Sequence, residues 1–142
     1  MVVIIGADHA GFSLKEKVKD CVPSRVVDRS PTLIPGDDYP DIAKQVAKEV
    51  VQQGVKGVLV CGSGIGMSIA ANKVRGVRAA VCRDVGDAVN ARQHNDANIL
   101  CLGGRVTGTD TARHIIDAFF STRFAGATRS GARHGRRVRK LG

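Results

Sequence analysis

Short, unbroken apolar runs, each ending in a small residue and most followed by a stretch of helical periodicity, constrain this chain more than any other feature. VVIIGA (2–7), VKGVLVC (55–61), VRAAVC (77–82) and NILCLG (98–103) lack the polar alternation of a half-exposed strand. They read as strands buried on both faces. A weaker run, RVVD at 25–28, makes a fifth. Helical segments at 12–22, 66–73 and 84–92 lie between them, and another at 109–121 follows the last. In DIAKQVAKEVVQQG, apolar residues at 42, 43, 46, 47, 50 and 51 form one helical stripe that Gly54 ends. Strand and helix alternate five times, which predicts an α/β fold: a three-layer α/β/α sandwich around a Rossmann-like, five-stranded parallel sheet. With no tryptophan, one tyrosine and four phenylalanines, the core must be mostly Val, Ile, Leu and Ala. No internal repeat or domain boundary interrupts residues 1–142, so a single domain is expected; the basic tail from about 123 falls outside the periodic pattern.

Charge and cysteine usage narrow the classes. From Arg123 onward there are six arginines and one lysine with no acid, so the tail holds +7 of the net +9. Such a tail can grip polyanions or simply be solvated. No apolar run approaches the ~20 residues of a membrane span. The opening MVVIIGADHAG lacks the basic start of a secretory signal, so a cytoplasmic location is expected. Cys21, Cys61, Cys82 and Cys101 show neither CxxC nor zinc spacing, so each is a small buried hydrophobe or a chemical group.

In open parallel sheets ligands sit beyond the carboxyl ends of the strands. Counted in chain order, the first run delivers Gly6-Ala7-Asp8-His9-Ala10-Gly11 there, the third (55–61) Cys61-Gly62-Ser63-Gly64-Ile65-Gly66, and the fifth (98–103) Gly103-Gly104-Arg105. Three glycines in five residues at a strand-to-helix turn aim several N–H groups at one point, a nest for phosphate or an oxyanion. The spacing GxGxG is not the dinucleotide GxGxxG, no GK[ST] follows, and Met67 stands where a cysteine phosphatase loop has Arg. A purely structural glycine turn competes with the nest. Cys61 closes its strand just before the helix, where dipole and N–H groups lower a thiol pKa from its usual ~8.5. A thiolate beside an oxyanion nest could remove a proton next to a carbonyl; a buried structural cysteine is an equally good reading of the residues. Asp8 reads equally as a helix N-cap with His9 facing solvent. His94-Asn95-Asp96 either caps the preceding helix or supplies an imidazole suited to sugar-ring opening.

Together, GADHAGFSLK, DDYPDIA, CGSGIGMSIAANKVRGVRAAVC, ARQHNDANIL and GGRV strongly resemble the type B ribose-5-phosphate isomerases. Allose- and galactose-6-phosphate isomerases belong to the same family. The likeness runs from residue 2 to about 122 and resumes at ARHGRRV. It implies an aldose–ketose isomerase of the pentose phosphate pathway, interconverting D-ribose 5-phosphate and D-ribulose 5-phosphate through a cis-enediol, without metal or nucleotide cofactor, as a homodimer. By resemblance, Cys61 is the base, and Gly62, Ser63, Gly64 and Gly66 with Ser68 hold the enediolate. His94 assists ring opening, and Asp8, Tyr39 and Asn95 hold sugar hydroxyls. His9, Arg105, Arg133 and Arg137 match phosphate-binding positions, with His134 close by. One branch of the family carries a glutamate base where Met67 stands; Met67 cannot accept a proton. The tail reads FAGATRSGARHGRRV against the family's FxGGRHxxR, about four residues longer, so either Arg129 or Arg133 meets the phosphate.

His94 precedes the fifth strand while Cys61 ends the third, so they lie at opposite sheet edges. A five-residue strand spans ~17 Å, so if both touch one sugar, His94 comes from a partner subunit. Two alternatives stand beside the ribose reading: a six-carbon substrate, allose or galactose 6-phosphate, and a catalytically silent RNA- or polyanion-binding module built on the basic tail. Phe124 is the tail's one aromatic side chain for base stacking, which disfavours RNA.

Overall fold

The computed structural model describes residues 1–142. Its centre is a sheet of β1 (Val2–Ala7), β2 (Arg25–Asp28), β3 (Lys56–Cys61), β4 (Ala79–Val81) and β5 (Ile99–Gly103), paired in the order β2-β1-β3-β5-β4. Every pairing is parallel. The connecting helices are α1 (Phe12–Val18), α2 (Tyr39–Gln53), α3 (Ile65–Asn72), α4 (Val85–Gln93) and α5 (Thr109–Ser121). The α/β sandwich expected from the apolar runs is the fold observed.

Side-chain alternation along the strands divides the core in two. Val3, Ile5, Val58, Val60, Leu100 and Leu102 pack with Leu14, Ala88, Ile115 and Phe119 under α1, α4 and α5. Ile4, Leu59, Cys61, Ile99 and Cys101 pack with Ala43, Val46, Met67 and Ala71 under α2 and α3. This parity puts the Cys61 side chain on the face that α3 covers. The chain leaves β1 toward β2 on one side and returns to β3 on the other. The reversal opens a crevice between the carboxyl ends of β1 and β3.

Three expectations need correction. The strand expected over 77–82 is only three residues long. Arg78 N–H is taken by the Asn98 side chain at 2.7 Å, and Asn72 bonds both the N–H and the carbonyl of Ala79, at 2.8 and 3.0 Å. Asn72 thereby covers part of an edge strand's open backbone. The helix expected over 12–22 stops at Val18 and tightens into a 3-10 turn, Lys19–Cys21. The tail is structured: a 3-10 turn at Ala125–Ala127 precedes a sixth helix, α6 (Ala132–Arg139), which buries His134 and Gly135. No helix is long and apolar enough to cross a membrane.

Candidate active site

Asp8 follows β1 directly. Its N–H donates to Val60 O at 3.2 Å, and its Oδ1 accepts the N–H groups of Ala10 and Gly11, both at 3.0 Å. The residue therefore closes a turn ahead of α1 and does not cap the helix, whose N-cap is Gly11 without a side-chain bond. Asp8 Oδ2 keeps no partner within the chain.

Cys61, at 4% exposure, ends β3 beneath the start of α3. The Gly64 N–H donates to its Sγ at 3.1 Å. That peptide orientation requires Gly64 at φ 81°, a left-handed conformation that side chains disfavour. Ser63 Oγ accepts the Ile65 N–H at 3.2 Å, tightening the turn. Two bonds fasten this loop to the one after β5: Gly104 N–H to Cys61 O at 2.7 Å and Arg105 N–H to Gly62 O at 2.9 Å.

These loops enclose a cavity of ≈ 390 Å³ whose wall includes Asp8, His9, Tyr39, Cys61, Gly62, Ser63, Gly66 and Arg105. Tyr39, at the first turn of α2, lies flat enough on Gly66 that a Cβ there would stand 2.6 Å from the ring. Gly64 contributes its N–H to the sulfur. Ser68 is not on the cavity wall; its Oγ donates to Ile65 O at 3.1 Å. Met67 is fully buried in the core under α2 and α3.

One residue at this site escaped the sequence reading. Asp37 Oδ1 accepts both the backbone N–H of His9 at 2.7 Å and, from the imidazole, Nδ1–H at 3.0 Å. With Nδ1 engaged, Nε2 is the ring nitrogen left for a ligand. The run PGDDYP signalled only a polar turn, because nothing in it reports a partner 28 residues away.

The remaining candidates gather elsewhere. His94 caps the C-terminus of α4 and stacks on His134 of α6, ring centroids 4.4 Å apart and 15° from parallel. Arg133 and Arg137, one helical turn apart and both exposed, lie to either side of His134 in α6. Burial, then the Arg133 guanidinium, the His94 ring and Arg137 hold the His134 imidazole below its usual pKa. Asn95 lines a shallow depression with Asn72, Ala79 and Leu141. None of these residues lines the Cys61 cavity. The other cysteines are chemically quiet: burial, with Asp87 and Asp84 nearby, pushes the Cys82 thiol up to about 12, and burial drives Cys101 well above the ordinary thiol range. No three His, Cys, Asp or Glu side chains converge in a way that could hold a metal ion.

Comparison with known proteins bears on this arrangement. The family model described as Ribose/Galactose Isomerase matches residues 3–141. Ribose-5-phosphate isomerase B of Escherichia coli (strain K12) is 41% identical over 143 aligned residues, covering 98% of this chain and 93% of its own. The solved structure of ribose-5-phosphate isomerase B from Clostridium thermocellum superposes with a TM-score of 0.93 at 42% identity, over 100% of this chain and 95% of that one. Ribose-5-phosphate isomerase B from Mycoplasma genitalium, solved with bound ribulose 5-phosphate, gives a TM-score of 0.90 at 38% identity, over 99% and 93%.

Proposed function

Since the chain belongs to the ribose/galactose isomerase family, we propose that it interconverts D-ribose 5-phosphate and D-ribulose 5-phosphate with Cys61 as the base. The observation that carries this reading is the Gly64 N–H donating to Cys61 Sγ at 3.1 Å on the wall of a cavity of ≈ 390 Å³, a size suited to a small ligand. An N–H aimed at sulfur is best satisfied when the sulfur is anionic. The thiolate takes the proton from C2 of the open-chain aldose, and the electron pair shifts through C1–C2 onto the carbonyl oxygen. Those N–H groups of the Gly62–Gly66 turn that are not bonded to Cys61 Sγ or Ser63 Oγ, with the Ser63 hydroxyl, receive that oxygen's charge. Cys61 returns the proton to C1, and a proton moves from O2 to O1, leaving the ketose. Asp8 and Tyr39 hold hydroxyls, and Arg105 with His9 takes the phosphate at the cavity rim.

Ring opening must move the anomeric hydroxyl proton toward the ring oxygen, which suits an imidazole. His94 lies before β5, whereas Cys61 is level with Gly103 at its far end. In the reading advanced here, the active unit is a homodimer, and His94 and Asn95 of the partner subunit complete each site. Exposed Ile65, Ile69, Val85 and Val106 surround the carboxyl-edge loops and offer an apolar surface for that partner. Arg133 and Arg137 of the partner subunit are the phosphate-side cations, with His134 beside them on α6 as a neutral imidazole. Arg129 lies outside that helix, which favours Arg133 of the two.

Turnover of Cys61→Ala on ribose 5-phosphate, alongside allose 6-phosphate and galactose 6-phosphate, tests the proposal. A loss of at least ~100-fold is expected on removing a general base, with ribose 5-phosphate the best substrate of the unmodified enzyme. Retained activity would place the base elsewhere, and a preference for a six-carbon sugar would transfer the assignment to that substrate. A purely polyanion-binding role finds less support, because α6 packs His134 and Gly135 into the domain.

A further inference from the structure

At the opposite edge of the sheet, where the strands begin, lies a second cavity of ≈ 410 Å³ whose wall carries Lys56, Arg78, Arg92 and one carboxylate, Asp96. The side chains on that wall thus carry a formal charge of +2. Asp96 adopts φ 47°, rare for a residue with a side chain. It binds both guanidiniums: Arg78 Nη2 donates to Oδ2 at 3.2 Å and Arg92 Nη1 to Oδ1 at 2.8 Å. Arg78 Nε also donates to the Asp96 carbonyl at 2.8 Å. That network explains Arg78 as a staple for the turn after α4.

It leaves the other two cations only partly engaged, Arg92 through one guanidinium nitrogen and a face over the Phe119 ring at 5.7 Å. Arg92 is 7% exposed, yet its hydrogen bonds all leave from Nη1, to Asp96 Oδ1 and to Ala97 O at 2.7 Å. Its Nε is buried without any partner, and its Nη2 makes no bond within the chain. Lys56, half-buried at the start of β3, makes neither a hydrogen bond nor an ion pair. Burial first, and then repulsion from Arg92, holds its ammonium below the usual lysine range. Two partly engaged cations lining one recess are better accommodated when an anion sits with them.

From this geometry we infer that the cavity is a second, non-catalytic binding site for a phosphate dianion, free or carried by a small metabolite, with Lys56 Nζ and Arg92 Nη2 as its ligands. A dianion balances the recess, and the volume leaves room for a small ester beyond the phosphate. The inference stands on the amino-edge residues alone and is independent of the isomerase assignment.

Amide NMR titration of the intact protein reads the two edges separately. With inorganic phosphate, glycerol phosphate or pyrophosphate, the amides of Lys56, Gly57 and Gly76 should shift on a binding curve of their own, distinct from that of Gly62, Gly64 and Gly66. Tighter binding of glycerol phosphate than of inorganic phosphate would identify an ester as the ligand, and the reverse order the free ion. Lys56→Gln should weaken the amino-edge curve about tenfold, the value of a charged hydrogen bond. It should leave the glycine-loop curve and turnover unchanged, and Lys56→Arg should restore binding. The inference is overturned if the amino-edge amides stay still while the glycine loop saturates. It is equally overturned if chloride reproduces their shifts, or if Lys56→Gln leaves their curve intact.

Discussion

Replacing Gly64 by alanine tests whether backbone geometry at one peptide holds the site together, and Gly54→Ala supplies the control. Both glycines have left-handed φ values, 81° and 64°. A non-glycine residue there costs roughly 1–2 kcal/mol. A Cβ on Gly54 meets nothing within 4 Å, so its substitution should cost that backbone amount alone. A Cβ on Gly64 would stand 3.1 Å from Leu102 C, 3.2 Å from Leu102 O and 3.3 Å from Val81 Cγ1. Leu102 belongs to the buried strand β5, whose backbone cannot withdraw, so crowding adds about 1–3 kcal/mol. Gly64→Ala should therefore lose about 2–5 kcal/mol in all. Relief would come from rotating the peptide, which withdraws the N–H from Cys61 Sγ. Loss of an N–H that stabilises the sulfur anion costs about 1.5–3 kcal/mol, the worth of a charged hydrogen bond, so the folded variant should be at least about tenfold slower while Gly54→Ala keeps its rate. Urea unfolding at fixed protein concentration and steady-state kinetics on the same samples measure both. If Gly64→Ala proves as stable and as active as Gly54→Ala, the argument from the left-handed peptide is wrong.

Asp37→Ala frees both the backbone and the ring of His9, so KM for the sugar phosphate should rise roughly threefold to tenfold, the worth of one or two hydrogen bonds, with kcat little changed; steady-state kinetics showing a fall in kcat alone would contradict this positioning role. The lowered pKa of His134 means that the folded chain binds fewer protons than the unfolded one between that value and about 6.5. Its contribution to stability is therefore complete above that range and is lost as the pH falls through it. The unfolding midpoint of His134→Gln should depend less on pH across this window than that of the unmodified protein.

The sheet was legible because its strands are buried on both faces, so Val3, Ile4 and Ile5 or Val58, Leu59 and Val60 need no alternation to be recognised. The site was legible as far as chain order carries it. Cys61 had to end a strand and precede a helix, and the glycine turn had to stand between them. What depended on distant pairing was not legible. Asp37 meets His9 across the sheet edge, and Asn98 and Asn72 shorten β4 from outside the strand. Helix α6 was missed for another reason. ARHGRRVR has one large apolar residue, and the helix is seated by small ones: a Cβ on Gly135 would stand 2.8 Å from the Gly126 carbonyl. Hydrophobic periodicity does not register a helix that docks through glycine and histidine.

A parallel sheet sends every strand end to one edge, so a site that needs groups from both edges must borrow one set from another molecule. That reasoning yields a test by complementation. If the proposed shared site holds, Cys61→Ala removes the base and His94→Asn the ring-opening imidazole, so each variant's homodimer alone should turn over cyclic ribose 5-phosphate poorly. Mixed, with subunit exchange allowed, half of the dimers become heterodimers. In each of these, one site pairs two altered residues, while the other unites Cys61 of one chain with His94 of its partner. About one quarter of the original activity should return, although no molecule in the mixture is wild type. If Cys61 and His94 served the same sugar from within one chain, every site would keep one defect and exchange would restore nothing. Recovery thus depends on where the second imidazole comes from and not on how much each residue contributes.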